Sequence, residues 1–162
     1  ISYRRGGQPM SVKIEHQTGV KAPASVVWEI VHDLETWADW NPLYTQAAGV
    51  IRIGEKLKLT LVLPDQEPRE LEATVIDWTP DEAIHWKTSH VGGLVKTIRY
   101  LEIEAKSETG CIFSNGEIFA GLLGPRVAKQ LRPSLRKGFT ALGEAVRDLA
   151  EARWQSRQDG AT

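Results

Sequence analysis

Several stretches of the chain alternate between hydrophobic and polar residues with a period of two. The first runs from Val12 to Val20. Three more lie at about residues 57–63, 70–75 and 84–89, and further strands are expected at about residues 44–51, 95–105 and 111–120. Because successive side chains of a strand point to opposite faces, each stretch predicts a strand with one buried face. Short segments rich in Gly, Pro and Asp separate the middle strands, so we expect an antiparallel meander.

Two short stretches after the first strand have helical spacing instead. Residues 23–34 carry apolar side chains three and four apart, and they begin with a proline, which suits the first turn of a helix. Trp37 and Trp40 lie three apart in a second helical segment. This segment must end before Pro42, because the residue preceding a proline is disfavoured in the helical conformation.

A long apolar stripe predicts a third helix near the end of the chain. Its members are Val127, Leu131, Leu135, Phe139, Leu142, Val146 and Leu149. Pro125 can start this helix. Pro133 lies in its interior, removes a backbone hydrogen bond, and is expected to kink the helix or divide it in two. A helix with one apolar face must cover an apolar surface elsewhere in the fold.

These elements leave a short segment at each end of the chain. Residues 1–9 are polar and show no periodicity, and they precede the only methionine, Met10. We interpret them as a disordered or expression-derived leader. Residues 155–162 are expected to form a polar tail. The intervening residues 10–154 contain no repeat or linker, and we expect them to form a single domain of ordinary size.

Composition and charge narrow the classes of function. No apolar run reaches the roughly 18 residues of a membrane span, so we expect no integral membrane association. The 20 Lys and Arg against 21 Asp and Glu give a net charge of −1, which provides no overall electrostatic reason to expect nucleic-acid binding. The single cysteine, Cys111, excludes an intramolecular disulfide and a Cys-rich metal site, and it fits a reduced, cytoplasmic compartment.

The order of elements favours an α+β fold. One strand, two short helices, five or six further strands and a long helix bury their apolar faces most simply when a curved antiparallel sheet of six or seven strands wraps around the long C-terminal helix.

Part of this pattern resembles the START-like superfamily, also called SRPBCC or polyketide cyclase/dehydrase-like. The residues that carry the resemblance are Ala22, Pro23, Val27, Trp28, Asp33, Trp37, Trp40, Asn41 and Pro42. Gly54, Pro80, Trp86, Gly110 and residues 117–123 also fit. The resemblance covers residues 12–154 and implies the family's helix-grip fold. It implies no single function, because ligand binding, lipid transport, cyclisation and chaperone regulation all occur on this scaffold.

The last two hairpins can be registered from their own residues and loops. The expected pairs are Ile103 with Phe113, Leu101 with Asn115, Arg99 with Glu117, Trp86 with Arg99, and Thr88 with Thr97. Trp86, Arg99 and Glu117 would then form a row across three strands on the concave face of the sheet. Charged side chains in a mostly apolar surface carry a large desolvation cost unless they are well matched.

We interpret this row as part of a ligand pocket between the sheet and the long helix. Arg99, Glu117 and Asn115 would anchor a small hydrophobic or aromatic molecule, lipid- or polyketide-like. The candidate ligand-binding residues are Arg99, Glu117, Asn115, Trp86, Leu101, Phe113, Leu135 and Phe139. Alternatively, Arg99 and Glu117 only neutralise each other at a wet end of the sheet, or their strands face outward.

Two other functions stay open. In a cyclase or dehydratase acting on a polyketide-like or aromatic substrate, Arg99 would polarise a carbonyl, and Glu117 or His16 would move a proton. His16 lies on the apolar face of the first strand, where core packing is its commoner role. A protein-interaction module resembling the family's chaperone regulators would need an exposed apolar surface and no deep cavity.

Three further expectations concern cofactors, the cavity mouth and a possible partner. The chain has no His-Glu-x-x-His motif, cysteine pair or Gly-rich phosphate loop, so neither a metal nor another cofactor is expected. His90 precedes Gly92 and Gly93 at the expected mouth of the cavity. Trp78 has the opposite parity to Val75, which places it on the outer face of the sheet, where it could serve a homodimer contact.

Overall fold

The computed structural model describes residues 11–160, so the expected leader at residues 1–9 and Met10 lie outside the described residues. The main elements are β1 Val12–Val20, α1 Ala24–His32, α2 Trp37–Trp40, β2 Tyr44–Gly49, β3 Lys56–Leu61, β4 Arg69–Thr79, β5 Ala83–His90, β6 Val95–Ser107, β7 Gly110–Ala120 and α3 Gly124–Gly160. Single 3-10 turns occupy Leu34–Thr36 and Val91–Gly93. This order confirms the predicted helix-grip fold.

The seven strands form one antiparallel sheet in the order β1-β7-β6-β5-β4-β3-β2. The strands from β2 to β7 form a meander, whereas β1 lies beside the last strand, so α1 and α2 carry the chain from one edge of the sheet to the other. The predicted pairs are confirmed: Ile103 with Phe113, Leu101 with Asn115, Arg99 with Glu117, Trp86 with Arg99, and Thr88 with Thr97.

Helix α3 packs across β1 and β7 on the concave face of the sheet. Leu135, Phe139, Leu142 and Val146 of its apolar stripe are buried. At Gly143 the helix approaches the sheet so closely that a Cβ atom would lie 2.5 Å from Nδ1 of His16. This missing side chain lets the helix backbone rest directly on β1.

The structure adds detail to two expectations about this helix. Pro133 does not divide it, because α3 is one helix from Gly124 to Gly160. Pro133 and Lys129 are both exposed, so water can bond the Lys129 carbonyl that the proline leaves free. Residues 155–160, expected as part of a polar tail, are the last turns of the helix. Arg157 donates to both carboxylate oxygens of Glu29 on α1, at 3.1 and 2.6 Å, which links this end of the helix to α1.

The expectation that Trp78 lies on the outer face is also wrong. A β-bulge shifts the register between Val75 and Asp77, and Trp78 pairs with Ile84 on the concave side. One extra residue reverses the face of every later side chain in the strand. Trp78 stacks on Trp28 of α1, with ring centroids 6.4 Å apart. Among residues 11–160, no helix is both long enough and apolar enough to cross a bilayer.

The contact between α3 and β1 gives a first testable prediction. In Gly143→Ala the new methyl group collides with the His16 ring, so we expect the free energy of unfolding to fall by about 1–3 kcal/mol. Chemical denaturation measures this loss. Adding His16→Ala should recover part of it, because the two positions are in direct contact.

Gly19→Ala on β1 is the matched control, because a Cβ atom there meets no other atom within 4 Å. It should leave stability nearly unchanged. A Gly143→Ala variant as stable as the control, or a loss that His16→Ala does not reduce, would contradict this account of the helix contact.

Candidate functional site

The guanidinium group of Arg99 lies inside the protein, with the residue only 1% exposed. Its Nε donates to Oη of Tyr44 at 3.0 Å, and its Nη2 donates to Oδ1 of Asn115 at 2.9 Å. Its Nη1 donates to the backbone carbonyls of Tyr100 and Gly116, both at 3.0 Å. Acceptors within the described chain therefore take four of the five N–H groups of this side chain.

Aromatic rings enclose the same guanidinium. Its central carbon lies 4.2 Å from the ring centroid of Phe139 and 5.8 and 5.9 Å from those of Tyr44 and Trp86. These rings stabilise the cation through cation–π attraction. Asn115, which is fully buried, accepts from Arg99 and donates from Nδ2 to the Phe139 carbonyl at 3.0 Å. Through Asn115, the cation on β6 is connected to the backbone of α3.

Glu117 is the second charged group of the predicted row. It lies opposite Arg99 on the concave face, which rules out the alternative in which these strands face outward. None of the ion pairs found within residues 11–160 joins the two side chains. The residue keeps some accessible surface, but burial of its carboxyl group raises the pKa, opposed by the charge of Arg99 and a hydrogen bond from Thr97.

A series of hydrogen bonds leads from Glu117 towards the surface. The hydroxyl oxygens of Thr97 and Thr88 are 2.5 Å apart, and the Thr88 hydroxyl is 3.0 Å from Nε2 of His90. Since each hydroxyl has one hydrogen, Thr97 donating to Glu117 requires Thr88 to donate to Thr97 and to accept from His90. Burial and the nearby charge of Arg69 lower the pKa of His90.

The packing of α3 is looser at the end of the sheet that holds Glu117. Phe139 contacts Asn115, and α3 runs antiparallel to β7, so Leu135 lies over the region of Glu117. Towards its start, Leu131 and Val127 of the same apolar stripe are only partly buried. His90 is also partly exposed. Glu117, His90, Val127 and Leu131 are all only partly buried, so this is where we expect a ligand to reach the interior, and we call this region the mouth.

The structure brings most of the predicted ligand-binding residues together but covers them. Arg99, Asn115, Trp86, Leu101, Phe113, Leu135 and Phe139 are each at most 2% exposed. On the concave face, the pair of Leu101 and Asn115 follows the pair of Arg99 and Glu117, and the pair of Ile103 and Phe113 comes next. Leu101 and Phe113 are therefore successively farther from the mouth. Glu117 alone among the eight keeps accessible surface, so a ligand entering at the mouth would meet this side chain first.

His16 lies one row away from Glu117, opposite Asn115. Its ring is covered by α3 at Gly143, and its buried Nδ1 has no hydrogen-bond partner among the described residues. Desolvation lowers its pKa, which keeps the ring neutral near pH 7. The covered position of His16 favours a role in core packing over a role in proton transfer at Glu117.

Sequence reasoning missed Tyr44 and gave no role to Thr88 and Thr97. Tyr44 is 55 residues from Arg99 along the chain, and no spacing in the sequence relates them. The two threonines occupy inward positions in strands whose other inward residues are mainly apolar. A polar residue at such a position needs a hydrogen-bond partner, and this could have pointed to them from the sequence.

Other potential sites lie away from this network. A depression of about 850 Å³ is bordered by Leu34, Ala38, residues 46–48, residues 58–60 and residues 70–72, and contains none of the predicted site residues. Cys111 is buried, and burial raises the pKa of its thiol to about 11, so it is a poor nucleophile. No group of three or more potential metal ligands occurs within residues 11–160.

Comparisons with known proteins agree with this fold. Residues 11–147 match the profile of the family described as polyketide cyclase / dehydrase and lipid transport. None of the curated proteins matches the chain.

Three solved structures illustrate the similarity. The Zhui aromatase/cyclase from Streptomyces sp. R1128 has a TM-score of 0.72 at 18% identity, over 89% of this chain and 96% of that one. Norcoclaurine synthase from Thalictrum flavum, as a point mutant with a transition-state analogue, gives 0.68 at 16% identity over 91% and 98%. The di-domain aromatase/cyclase StfQ of steffimycin biosynthesis gives 0.70 at 14% identity over 89% and 52%. At such identities the similarity establishes the fold alone.

The hydrogen bonds of Arg99 give a second prediction. Arg99→Met leaves buried acceptors on Tyr44 and Asn115 without a donor, so we expect unfolding free energy to fall by about 3–5 kcal/mol. The control is Arg132→Met on the exposed side of α3, which should change stability by less than about 0.5 kcal/mol. Urea titration of both variants tests this, and equal small losses would show that Arg99 does not hold α3 to the sheet.

The raised pKa of Glu117 gives a third prediction. A carboxyl group with a higher pKa in the folded state binds its proton more readily when folded, so its contribution to stability falls as pH rises from 4.5 through the raised value. Glu117→Gln stays neutral and escapes this loss. We therefore expect the variant to be more stable than the original protein at about pH 8, with the difference shrinking towards about pH 4.

Denaturant titrations across this range measure the difference, and Glu104→Gln, at an exposed position of β6, is the control. If the Glu117→Gln difference is the same at both ends of the range, the pKa of Glu117 is not raised.

Proposed function

Because the chain belongs to the family of polyketide cyclases, dehydrases and lipid-transport proteins, we propose that it binds a small, largely hydrophobic or aromatic molecule. The ligand lies between the concave face of the sheet and the first half of α3, and it enters at the mouth. This proposal places the polar end of the ligand at Glu117 and its apolar body against Val127 and Leu131.

The desolvated carboxyl group of Glu117, on a residue that keeps some accessible surface, carries this proposal. A carboxyl group on the inner face of a sheet loses hydration energy unless something replaces water as its partner. Thr97 supplies one hydrogen bond, and Arg99 acts through its charge while its own hydrogen bonds go elsewhere. A hydroxyl or carbonyl group of a ligand would complete the hydrogen bonding of this carboxyl.

Because the interior is closed by protein side chains, a ligand can reach Arg99 and Trp86 only after part of the protein moves. Arg99 and Trp86 are already covered by protein side chains, so contact with them requires α3 or the loop at Val91–Gly93 to move outward. The fifth N–H of Arg99, on Nη2, would then be the donor available to a ligand carbonyl. Partial exposure of Leu131 and Val127 shows where the least packing would be lost.

A second candidate function is a cyclase or dehydratase reaction at the same place. The hydrogen-bonded series from Glu117 through Thr97 and Thr88 to His90 favours it, because such a series can exchange a proton between a buried acid and the surface. In an enzyme, Glu117→Gln would keep ligand binding and lose turnover, whereas in a binding protein no reaction would exist to be lost.

The fourth prediction tests ligand binding with two matched probes. Emodin, a hydroxylated aromatic polyketide, can hydrogen-bond with Glu117, whereas anthracene has a similar three-ring body and no polar group. We expect Glu117→Leu to weaken emodin binding about tenfold, the value of one hydrogen bond to a buried acid, and to leave anthracene binding unchanged or tighter. Quenching of tryptophan fluorescence measures both affinities.

Glu104→Leu on the outer face of β6 is the control and should alter neither affinity. Failure of both probes to bind, or an equal effect of Glu117→Leu on both, would overturn the proposal. The protein-interaction module would then be the remaining interpretation of this fold.

A further inference from the structure

Two loops meet beside the mouth and expose apolar side chains. The amide of Leu123 donates to the carbonyl of Leu94 at 2.9 Å, which joins the β7–α3 turn to the β5–β6 loop. Gly121 makes this approach possible, since its φ is +86° and a Cβ atom would lie 2.5 Å from that carbonyl. Val91, Leu94 and Leu122 are 63%, 40% and 82% exposed. We call these three side chains the apolar tip.

The backbone at Val91 is strained as well as exposed. Its φ is +54°, in the left-handed region, which is costly for a β-branched residue and is much better suited to glycine or asparagine. Its side chain gains little burial in return. Neither the strain nor the exposed apolar surface stabilises the fold, so both features indicate a role outside the protein's own core.

The apolar tip has basic residues beside it. Residues 83–101 and 118–143, which contain both loops and their flanking segments, include no Asp or Glu. Lys96, Arg126 and Lys129 are exposed, and we call them the basic flank. Arg126 and Lys129 lie in the first two turns of α3, directly after Leu122, and Lys96 extends along Gly93. These two segments therefore carry a local positive charge, although the net charge of the whole chain is −1.

The shape of this surface favours a bilayer over a protein partner. A stable protein interface buries about 800 Å² on each side in a complementary surface. Three side chains that project from loop ends cannot supply such an area, but they can enter the headgroup layer of a membrane. Cations around them would then meet anionic lipid headgroups, each contact contributing to binding.

We propose that the apolar tip and the basic flank dock the protein onto anionic phospholipid bilayers. Val91, Leu94 and Leu122 enter the interfacial layer, and the basic flank contacts the headgroups. This binding is peripheral and reversible, because three side chains and three charges provide far less affinity than a membrane-spanning helix. The surface stands on its own observations and does not depend on which ligand, if any, occupies the mouth.

Vesicle sedimentation with the full chain tests the proposal as the fifth prediction. We expect the protein to sediment with phosphatidylcholine vesicles that contain about one quarter phosphatidylglycerol, and not with pure phosphatidylcholine. Binding should fall steeply between about 20 and 500 mM NaCl. Lys129→Gln should reduce the partition coefficient about fivefold, and Arg126→Gln with Lys129→Gln should reduce it further.

Val91→Asn separates docking from folding. Asparagine tolerates the left-handed backbone, so this variant should melt at the same temperature as the original protein or higher. It should nevertheless bind anionic vesicles more weakly, and Leu122→Ser should have the same effect. Ile53→Ser, which removes an apolar side chain 61% exposed at the β2–β3 turn, and Lys58→Gln on β3 are the matched controls.

Unchanged binding by both controls, together with loss in the tip and flank variants, would support the proposal. Absence of sedimentation with anionic vesicles would overturn it. So would equal losses in Ile53→Ser and Leu122→Ser, because the attraction would then be nonspecific.

Discussion

The buried guanidinium of Arg99 is the constraint on which the arrangement of this protein depends. A cation inside a protein must replace its lost hydration, and here the replacement comes from four hydrogen bonds and three aromatic rings contributed by separate parts of the chain. Tyr44 contributes a contact from β2, Asn115 contributes one from β7, and Phe139 contributes one from α3. The position of α3 over the sheet is therefore fixed by polar geometry as well as by apolar contact, and the helix can shift only if some of these bonds are broken.

That constraint divides the concave face into two regions. From Asn115 towards α1, the helix rests on the sheet through Gly143 and the space is filled by buried side chains. In the other direction, the apolar stripe of α3 is only partly covered, and the polar residues on the sheet change from the buried Arg99, with four hydrogen bonds, to the partly exposed Glu117. A tight contact at one end is compatible with a looser one at the other, because the long helix is held firmly where Asn115 meets Phe139. The features that suit a ligand and those that suit proton transfer both occur in the looser region.

The same end of the molecule also holds the exposed apolar side chains of Val91, Leu94 and Leu122 and the exposed cations of the basic flank. Charge counted over the whole sequence gave no reason to expect attraction to an anionic surface. The fold separates the charges, since the β5–β6 loop and the start of α3 are adjacent, and residues 83–101 and 118–143 around them contain no Asp or Glu. Mouth, apolar tip and basic flank are thus neighbours, although they come from two separate segments of the chain, residues 90–96 and 117–131.

The sequence by itself determined the order of the elements, the register of the last two hairpins and the inward row of Trp86, Arg99 and Glu117, because alternation and hairpin closure are local properties. It did not determine the partners of that row. Tyr44 reaches Arg99 across 55 residues, and whether Arg99 faces a ligand or protein acceptors depends on contacts that no spacing encodes. Local rules also failed where tertiary contacts outweighed them, as in the bulge that turns Trp78 inward and the ion pair of Arg157 with Glu29 at the helix end. Only the tertiary structure decided which inward side chains are fully satisfied and which remain open, because burial and hydrogen bonding are set jointly by segments that meet only in the folded state.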